Sequence, residues 1–586
     1  MWNKLPSEKR EQKHSFACIA GAQLIVLAAI LLFCDIKLEV SDDFVMEMIL
    51  SGVYTGTNDI HIMFSNVIWA CIVLPFYKLF PAANWYFIAQ LLVCLLSVIT
   101  VTYVIFQIHN KTSAVVTSAL ITVAAALDLY ILPQFTKTAI AAVFSGSILF
   151  IWALFYKKSS RAAILGGLLV LVGSWIRINV IYIAGPFILI MLLYEIARMA
   201  RDADFTVKSL LHVAIPGLVL IALVFTSSWF SDYVYAQDPS YSYWQQYSKA
   251  RANIVDYAYP SYVEYEEAFQ EIGLSMNDYV MLTSWNYGDS EAYDLETLRK
   301  VGDILSDYRE KLTVSKREFL FLFRDRQLRY PGAGICLLLG LYCIAIDWKK
   351  AWIPILSAAV VVGFFFYYYY IGRKVYRVEF SYYFCAAILL AFYTNTASRP
   401  EKTAVSAIYS LLVSVMVLTQ VIKCIPDQTL PATGSDGYRS YVDDTFYYSW
   451  NYDKDKYGKV IREGDIRPEF LREVREHPEN MYVMEFYTTI QTFYYDFTPF
   501  ESAKNSFPTN VVYLGGVTVN HPSVVDSHDH ENTGKLLNKL LDENTYLVTN
   551  RAQDTILTYF IEHGHPDVQM ELHDTIDGYN IWKYTE

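Results

Sequence analysis

The sequence predicts an α-helical membrane protein that crosses the bilayer many times and carries a C-terminal α/β domain outside the membrane. The 586 residues are 54% hydrophobic and only 18% charged, with a mean hydropathy of +0.24. This composition is typical of integral membrane proteins that also have substantial polar parts. Long apolar runs recur along residues 1–424, whereas residues 425–586 alternate strand-like and helix-like patterns.

Eleven apolar runs are long enough to cross a bilayer, for which about 20 residues suffice. They lie near residues 16–34, 85–108, 113–132, 138–156, 161–176, 179–197, 207–230, 331–347, 351–371, 378–396 and 403–424. Basic residues precede the first run, but no small-residue cleavage site follows it. We therefore expect a retained helix there and not a signal peptide.

One further run, 62–80, decides the topology. If it does not span, eleven Lys and Arg residues lie in short connections on the side of the N-terminus; if it spans, only six do. Basic residues concentrate in cytoplasmic connections. The split favours a plasma-membrane protein with a cytoplasmic N-terminus, an interfacial run 62–80 and an outer C-terminus. Asn66, Pro75 and Lys78 within the run also suit an interfacial position.

This topology places three pieces outside, which we name the first loop (35–84), the second loop (231–329) and the tail (425–586). The second loop is acidic, is rich in Tyr and Trp, and has helical spacing in 262–272 and 295–323. The tail has strand-like runs at 481–487, 510–514, 546–549 and 579–584 and helix-like runs at 533–541 and 555–563. We therefore divide the chain into a membrane module, 1–424, and an extracytoplasmic α/β domain, 425–586.

Several classes of function are disfavoured. The eight cysteines lie in or beside membrane segments, so no disulfide framework is predicted. The formal net charge of −12 argues against nucleic acid, and no Gly-rich loop offers a cradle for a soluble nucleotide. A solvated loop explains the cluster Asp526, His528, Asp529 and His530 better than a metal site does, because the usual ligand spacing is missing. We expect no cofactor, and the sequence does not indicate a divalent metal.

The most informative motif is Ser41-Asp42-Asp43-Phe44, which directly follows the first apolar segment. Adjacent carboxylates there either cap the next helix, since Asp is a favoured N-cap, or belong to a functional site. Asp59 and His61 on the same loop favour a site and are secondary candidates.

Basic residues at the predicted outer ends of other helices run against the usual charge distribution. They are Lys137, Arg177, Arg373, Lys374 and Arg377. Such residues either anchor the chain or snorkel at the interface, or they bind an anion, and charges in such positions are functional candidates. Together with the acidic pair they predict an outer-face site with a carboxylate base and a cradle for an anionic, lipid-borne group.

The acidic pair, the interfacial segment, the outer basic residues and the outer C-terminal domain together resemble the GT-C superfamily of polytopic glycosyltransferases. Protein O-mannosyltransferases and lipid A aminoarabinose transferases are examples. The resemblance covers about residues 15–425 as architecture, and the tail resembles no domain of that family. The segment 51–61, Ser-Gly-Val-Tyr-Thr-Gly-Thr-Asn-Asp-Ile-His, with Asn84-Trp85-Tyr86 after it, also resembles a group of bacterial membrane proteins. Many members of the GT-C superfamily have Asp-Glu or Glu-Asp where this chain has Asp-Asp.

The resemblance implies a polyprenyl-phosphate-linked sugar as donor and transfer on the outer face. We expect a cell-surface glycan, lipid or protein as the acceptor. Displacing a phosphate from an anomeric carbon needs a base for the acceptor and cations for the leaving oxyanion. We assign Asp43 or Asp42 to the base. The donor phosphate is assigned to Lys137, Arg177, Arg373, Lys374 and Arg377.

A single displacement predicts an inverting glycosyltransferase, with a hexosyl group as the expected cargo. Two other classes remain open. A carrier or flippase for a lipid-linked saccharide would use the same basic residues, although we find no symmetry between halves of the chain. A cell-surface assembly protein would instead use the tail as its working part.

Overall fold

The computed structural model describes most of the chain. The described residues are 6–34, 36, 38–39, 41–202, 206–313, 315–324, 331–373, 375–394, 403–423, 468–486, 488–489, 499–525 and 536–586. The N-terminal part is helical, and a five-stranded sheet lies in the C-terminal part. The predicted combination of a polytopic helical bundle and a C-terminal α/β unit is therefore confirmed.

The membrane module contains helices at all eleven predicted spans. Seven of the described helices are long and apolar enough to cross a membrane: Phe16–Phe33, Trp85–Ile108, Lys111–Ile131, Phe135–Lys157, Val180–Arg201, Val207–Tyr235 and Trp348–Tyr370. The other four predicted spans correspond to helices Ser160–Ile176, Pro331–Ile346, Tyr376–Tyr393 and Thr403–Lys423. The chain is thus a multi-pass membrane protein, with seven of the eleven predicted crossings supported by length and composition.

We label the helices in chain order. They are α1 (Pro6–Phe33), α2 (Ser41–Ser51), α3 (Val67–Leu79), α4 (Trp85–Ile108), α5 (Lys111–Ala126), α6 (Phe135–Trp152), α7 (Ser160–Ile176), α8 (Val180–Arg201), α9 (Val207–Tyr235), α10 (Pro239–Val255), α11 (Glu266–Glu271), α12 (Met276–Thr283), α13 (Leu295–Glu310), α14 (Lys316–Leu322), α15 (Pro331–Ile346), α16 (Trp352–Tyr370), α17 (Tyr376–Tyr393), α18 (Thr403–Lys423), α19 (Pro468–Glu476), α20 (Ala503–Ser506), α21 (Pro522–Val525) and α22 (Gln553–Glu562). Single π-helical turns extend α5 and α6, at Leu127–Ile131 and Ala153–Lys157 respectively.

Helix α3 occupies most of the ambiguous run. Its 13 residues extend only about 20 Å at about 1.5 Å per residue, which is less than the roughly 30 Å of a hydrocarbon core. Trp69, Val73 and Tyr77 are buried against the rest of the protein, whereas Phe76 and Leu79 are exposed. A short helix with one buried and one exposed apolar face fits a segment that does not cross the bilayer.

Helix α6 lies at the centre of the bundle, with nearly all of its side chains buried. It packs closely against the antiparallel α7, because glycines remove the side chains between them. A Cβ atom at Gly146 would lie 2.6 Å from the carbonyl oxygen of Gly166, and one at Gly173 would lie 2.7 Å from that of Ala139. The pairing places the end of α7 beside the start of α6, where the guanidinium of Arg177 lies 4.8 Å from the ring of Phe135.

The tail contains the sheet, in the order β2-β1-β3-β5-β4. Its strands are β1 (Met481–Met484), β2 (Val511–Tyr513), β3 (Thr545–Val548), β4 (Gln569–Ile576) and β5 (Tyr579–Thr585). Strand β1 pairs in parallel with β2 and β3, and β5 pairs antiparallel with β3 and β4. The four predicted strands and the helix near 555–563 are therefore present, and β4 is additional. Of the predicted helix 533–541, residues 533–535 lie outside the described part and Asn538–Leu541 forms a 3-10 turn.

The second loop and the tail share one hydrophobic core. Tyr247 and Leu298 of the loop belong to the same buried cluster as Val483, Leu514 and Phe560 of the tail. The backbones also approach closely, since a Cβ atom at Gly515 would lie 1.5 Å from the carbonyl oxygen of Trp285. These two pieces therefore form a single unit.

This unit is attached to the first loop through main-chain hydrogen bonds. The amide of Asn84 donates to the carbonyl of Phe500 over 2.9 Å, and the amide of Ser502 donates to that of Ala82 over 3.0 Å. The contact brings the tail against the start of α4 and, through Glu47, against α2. The Glu47 carboxylate accepts hydrogen bonds from the Ser502 hydroxyl at 2.7 Å and the Ala503 amide at 3.2 Å.

Candidate functional site

A cavity of about 90 Å³ lies where the membrane helices meet the unit formed by the second loop and the tail. The first loop and the ends of the membrane helices contribute Ser41, Asp42, Val45, Phe64, Arg177, Arg373 and Arg377. The unit formed by the second loop and the tail forms the opposite wall with Arg251, Asp256, Trp285, Phe486, Thr489, Tyr513 and Gly515–Thr518. Four arginines and two aspartates therefore surround one small space.

Asp42 brings a carboxylate to this cavity from the first turn of α2. Burial raises the pKa of Asp42 above its ordinary value, and the positive charges of Arg377 and Arg177 oppose that rise. The position in the first helical turn also favours negative charge. A carboxylate with a raised pKa, held beside cations, is chemically suited to accept a proton from a bound hydroxyl.

Asp43 has a different environment, although it is the next residue. Its side chain is fully buried and does not line the cavity. Oδ1 accepts a hydrogen bond from Gln90 Nε2 at 2.9 Å, and Oδ2 lies 3.4 Å from the amide of Phe135. Burial raises the pKa of Asp43 to about 8 against the opposing hydrogen bond from Gln90. Asp43 thus ties α2 to α4 and to the start of α6.

Three of the five predicted phosphate-binding cations line the cavity. Arg373 Nη2 lies 2.9 Å from Asp256 Oδ2, and its charge is balanced there. The guanidinium of Arg177 lies 4.8 Å from the Phe135 ring and 5.4 Å from the Phe64 ring. Within the described part of the chain, no oxygen accepts a hydrogen bond from the guanidinium of Arg177 or of Arg377. These two cations therefore retain free donors beside Asp42.

Arg251, on α10, is a cavity residue that sequence reasoning missed. It is 2% exposed, and its guanidinium lies 4.8 Å from the ring of Trp285. Its Nε and Nη1 atoms have no hydrogen-bond partner among the described residues. A buried charge without a partner is costly, so this position favours binding of an anion. Lys249 and Arg251 were the only available signal, two basic residues in an acidic, aromatic stretch.

Lys137 is not brought to the cavity. Its side chain is 1% exposed, and its ammonium pairs with Asp128 Oδ1 at 2.6 Å and with the carboxylate of Glu39. The carbonyl of Leu132 accepts a further hydrogen bond at 3.2 Å, and Asp128 Oδ2 accepts one from the Tyr376 hydroxyl at 3.1 Å. Lys137 thus joins the first loop to the start of α17. Lys374 lies outside the described residues.

Asp59 and His61 belong to a separate cluster away from the cavity. His61 Nδ1 lies 2.6 Å from Asp59 Oδ1, and the hydroxyls of Tyr241 (2.6 Å) and Ser523 both donate to Asp59 Oδ2. Burial alone would raise the pKa of Asp59, but the hydrogen bonds from His61, Ser523 and Tyr241 outweigh it and lower the pKa. The His61 ring also stacks on Tyr241, with centroids 3.9 Å apart. The cluster connects the first loop, the second loop and the tail.

The described residues contain one group whose ligand atoms are close enough together to hold a metal. It consists of Asp278, Glu562 and His563, with these atoms within 4.8 Å of one another. His563 Nε2 already pairs with Asp278 Oδ1 at 2.9 Å, and Glu562 accepts from the Ser275 hydroxyl at 2.6 Å. The contacts satisfy these groups as a link between α12 and α22. The predicted loop cluster of Asp526, His528, Asp529 and His530 lies outside the described residues.

Comparison with known proteins gives only distant similarity. No family model matches the chain, and no curated protein matches it. Two crystal structures of ArnT from Cupriavidus metallidurans are similar. The apo form is 10% identical, with a TM-score of 0.45, over 97% of this chain and 98% of that one. The form bound to undecaprenyl phosphate is 12% identical, with a TM-score of 0.44, over 97% of each chain. At this low identity and TM-score, the similarity assigns no role to any residue. The description of the site therefore rests on the contacts within this protein.

Proposed function

We propose that the protein is a membrane glycosyltransferase that moves a sugar from a polyprenyl-phosphate donor to an acceptor outside the membrane. The observation that carries this proposal is the convergence of the Asp42 carboxylate and arginines with free donors on one cavity at the ends of membrane helices. Sugar transfer, as opposed to other phosphate chemistry, is supported by the resemblance of residues 15–425 to the GT-C superfamily.

The charge of the cavity supports an anionic ligand. Four guanidinium groups face two carboxylates, and one of each is neutralised in the Arg373–Asp256 pair. Arg177, Arg251 and Arg377 then remain around Asp42. Guanidinium groups bind phosphate oxygens through paired hydrogen bonds. We assign the donor phosphate to Arg177 and Arg377, with Arg251 on the opposite wall.

The proposed reaction is a single displacement. An acceptor hydroxyl gives its proton to Asp42 while its oxygen bonds to the anomeric carbon. The bond between that carbon and the phosphate oxygen breaks, and its electron pair stays on the phosphate. The arginines stabilise the negative charge that develops there. One base on one face of the sugar gives inversion, and Asp43 acts only by fixing α2.

A second cleft supports a route for the acceptor. It has a volume of about 340 Å³ and shares Phe64 and Arg251 with the cavity. Polar side chains line much of it, including Asn66, Ser228 and Gln245. The cavity itself is smaller than the roughly 300–1,000 Å³ of typical ligand pockets. We therefore assign the leaving phosphate to the cavity and the approach of the hydroxyl-bearing acceptor to the second cleft.

The proposal is tested by supplying a radiolabelled polyprenyl-phosphate sugar to purified protein in liposomes, with cell-surface glycans, lipids and proteins as acceptors. We expect label to move from the polyprenyl lipid to an acceptor. Movement of intact donor across the bilayer without transfer would identify a carrier instead. Neither transfer nor movement, with donor bound normally, would contradict both functions and favour an assembly protein.

A further inference from the structure

A groove of about 570 Å³ lies outside the candidate site and has no part in the proposed reaction. Three membrane helices form it near their ends. Leu154, Phe155 and Lys158 come from the extension of α6 and the turn after it, and Arg198, Met199 and Asp202 from the end of α8. The start of α9 supplies Lys208, Ser209, Leu211, His212, Val213, Ile215 and Pro216.

The groove and the candidate site lie at opposite ends of the membrane helices. In α9, Lys208 lines the groove and Ser231 lines the second cleft beside the cavity. Ser231 follows Lys208 by 23 positions in the helix, which corresponds to about 34 Å at about 1.5 Å per residue. A hydrocarbon core is about 30 Å thick. When the candidate site is at one membrane surface, the groove is therefore at the headgroup level of the other.

The lining of the groove combines an apolar wall with a basic rim. Phe155, Val213 and Pro216 represent the wall, whereas Lys158 and Lys208 are exposed cations on the rim. Arg198 is held in place, because its Nε donates to the buried Glu195 over 2.9 Å and its guanidinium lies 4.5 Å from the Tyr156 ring. Asp202 is the acidic residue among those lining the groove. The rim thus has an excess of positive charge.

The start of α9 adds to the positive electrostatic potential of the groove. Thr206 caps the helix by accepting a hydrogen bond from the amide of Ser209 over 3.1 Å. The positive end of the helix dipole therefore lies at the groove, beside Lys208 and Ser209. Basic pockets between membrane helices at headgroup level are suited to anionic lipid headgroups.

We propose that this groove binds an anionic phospholipid of the leaflet opposite the candidate site. Lys158 and Lys208 contact the headgroup phosphate, and one acyl chain lies along the wall formed by Phe155, Val213 and Pro216. The apolar wall and the position at the membrane surface select a lipid and not a soluble phosphate. The proposal stands independently of sugar transfer, because none of its residues lines the cavity or the second cleft.

The test measures lipid binding to the purified full chain by native mass spectrometry. Phosphatidylglycerol and phosphatidylcholine with the same acyl chains are the probes. We expect the wild type to retain phosphatidylglycerol preferentially and the double variant Lys158→Gln/Lys208→Gln to bind it about 30-fold more weakly, since each basic residue near a membrane surface contributes a factor of about five. Lys111→Gln is the matched control, because Lys111 is an exposed lysine at the start of α5 that does not line the groove.

A further double variant, Lys158→Arg/Lys208→Arg, keeps the charge and should keep the lipid. It separates the loss of the phosphate contact from misfolding. Equal retention of both lipids by the wild type would overturn the proposal. Unchanged phosphatidylglycerol binding by the Gln variant would also overturn it, as would displacement of the lipid by millimolar inorganic phosphate.

Discussion

Asp42 and Asp43 are consecutive residues in the first turn of α2, but only Asp42 lines the arginine-rich cavity. Asp43 is buried beneath it, where Gln90 Nε2 donates to Oδ1 over 2.9 Å. The first carboxylate is therefore available to a ligand, while the second holds the helix that presents the first. Under the proposed function, Asp42 is the base and Asp43 holds the helix that carries it.

The contribution of Asp43 and Glu47 to the stability of the protein should fall as the pH rises between about 4 and 8. Burial raises the pKa of Asp43 to about 8 and that of Glu47 to about 7, so both bind protons in the folded state at pH values where the unfolded chain has lost them. Their stabilising contribution is complete below the unfolded pKa, near 4, and disappears as the pH passes the folded values. Thermal unfolding in detergent, followed against pH, should show this contribution when the wild type is compared with a variant that lacks both carboxylates.

The variant Asp43→Asn/Glu47→Gln should lack that contribution, because neither new side chain titrates. Asp289→Asn is a suitable control, since Asp289 is a buried carboxylate in the unit formed by the second loop and the tail. The same pH dependence in the wild type and the double variant would show that Asp43 and Glu47 do not contribute to it.

Replacing Arg251 by Gln should weaken binding of polyprenyl phosphate by about 10- to 150-fold, the range of a hydrogen bond to a charged group. The folded state should lose little stability, because the Nε and Nη1 atoms of Arg251 have no partner to lose among the described residues. Binding isotherms and thermal midpoints, measured on the same preparations, check the two effects separately.

Arg309→Gln is the matched control for Arg251. Arg309 also lies over an aromatic ring, that of Tyr257 at 5.2 Å, but its donors bond to Asn253 and to the Ala258 carbonyl. This variant should lose stability and keep its affinity for the ligand. The opposite pattern in the two variants would remove Arg251 from the site.

The effects of replacing Arg373 and Asp256 on the binding of polyprenyl phosphate should be coupled. Replacing Arg373 by Gln leaves the Asp256 carboxylate unbalanced beside the cavity, where it repels phosphate, so ligand affinity should fall more than the loss of one cation explains. The double variant Arg373→Gln/Asp256→Asn should recover about tenfold, a coupling of about 1.4 kcal/mol. Additive losses in the double-mutant cycle would show that the 2.9 Å contact does not affect the ligand.

Replacing Lys137 by Gln should destabilise the protein and not act on the ligand directly. Removing the ammonium leaves Glu39 and Asp128 buried without their partner, and breaking a buried pair costs about 3–5 kcal/mol. The yield of folded protein and the thermal midpoint should both fall, whereas Lys111→Gln should change neither. Normal stability with lost phosphate binding would return Lys137 to the donor site predicted from the sequence.

The helices of the membrane module were predictable because length and apolarity are strong signals. Each of the eleven runs contains a helix, and length and composition support seven of them as membrane crossings. Strand β4 was missed because most of its side chains are exposed, so it lacks the alternating pattern that marks a half-buried strand. The shared core of the second loop and the tail was also missed, since it depends on long-range contacts such as that between the Tyr293 and Tyr559 rings, whose centroids are 6.2 Å apart, and no local pattern encodes them.

The residues of the candidate site were also predictable only in part. Asp42, Arg177, Arg373 and Arg377 were identifiable because charged residues are unusual at the ends of apolar helices. Arg251 and Asp256 lie in a polar loop, where charges are ordinary, and only long-range packing brings them to the cavity. The sequence also indicates the partner of Lys137. Asp128 is an acidic residue inside the apolar run 113–132, a position that itself predicts a charged partner.

The most direct test of the central claim measures sugar transfer and donor binding together for Asp42→Asn in reconstituted membranes, beside Asp43→Asn. We predict that Asp42→Asn lowers the transfer rate by about 10²- to 10⁴-fold, the usual effect of losing a general base, and binds polyprenyl phosphate at least as tightly as the wild type. Asp43→Asn should stay within about tenfold of the wild-type rate, because an amide resembles the protonated carboxyl that its raised pKa favours. Near-normal transfer by Asp42→Asn, with a large loss in Asp43→Asn, would contradict the account.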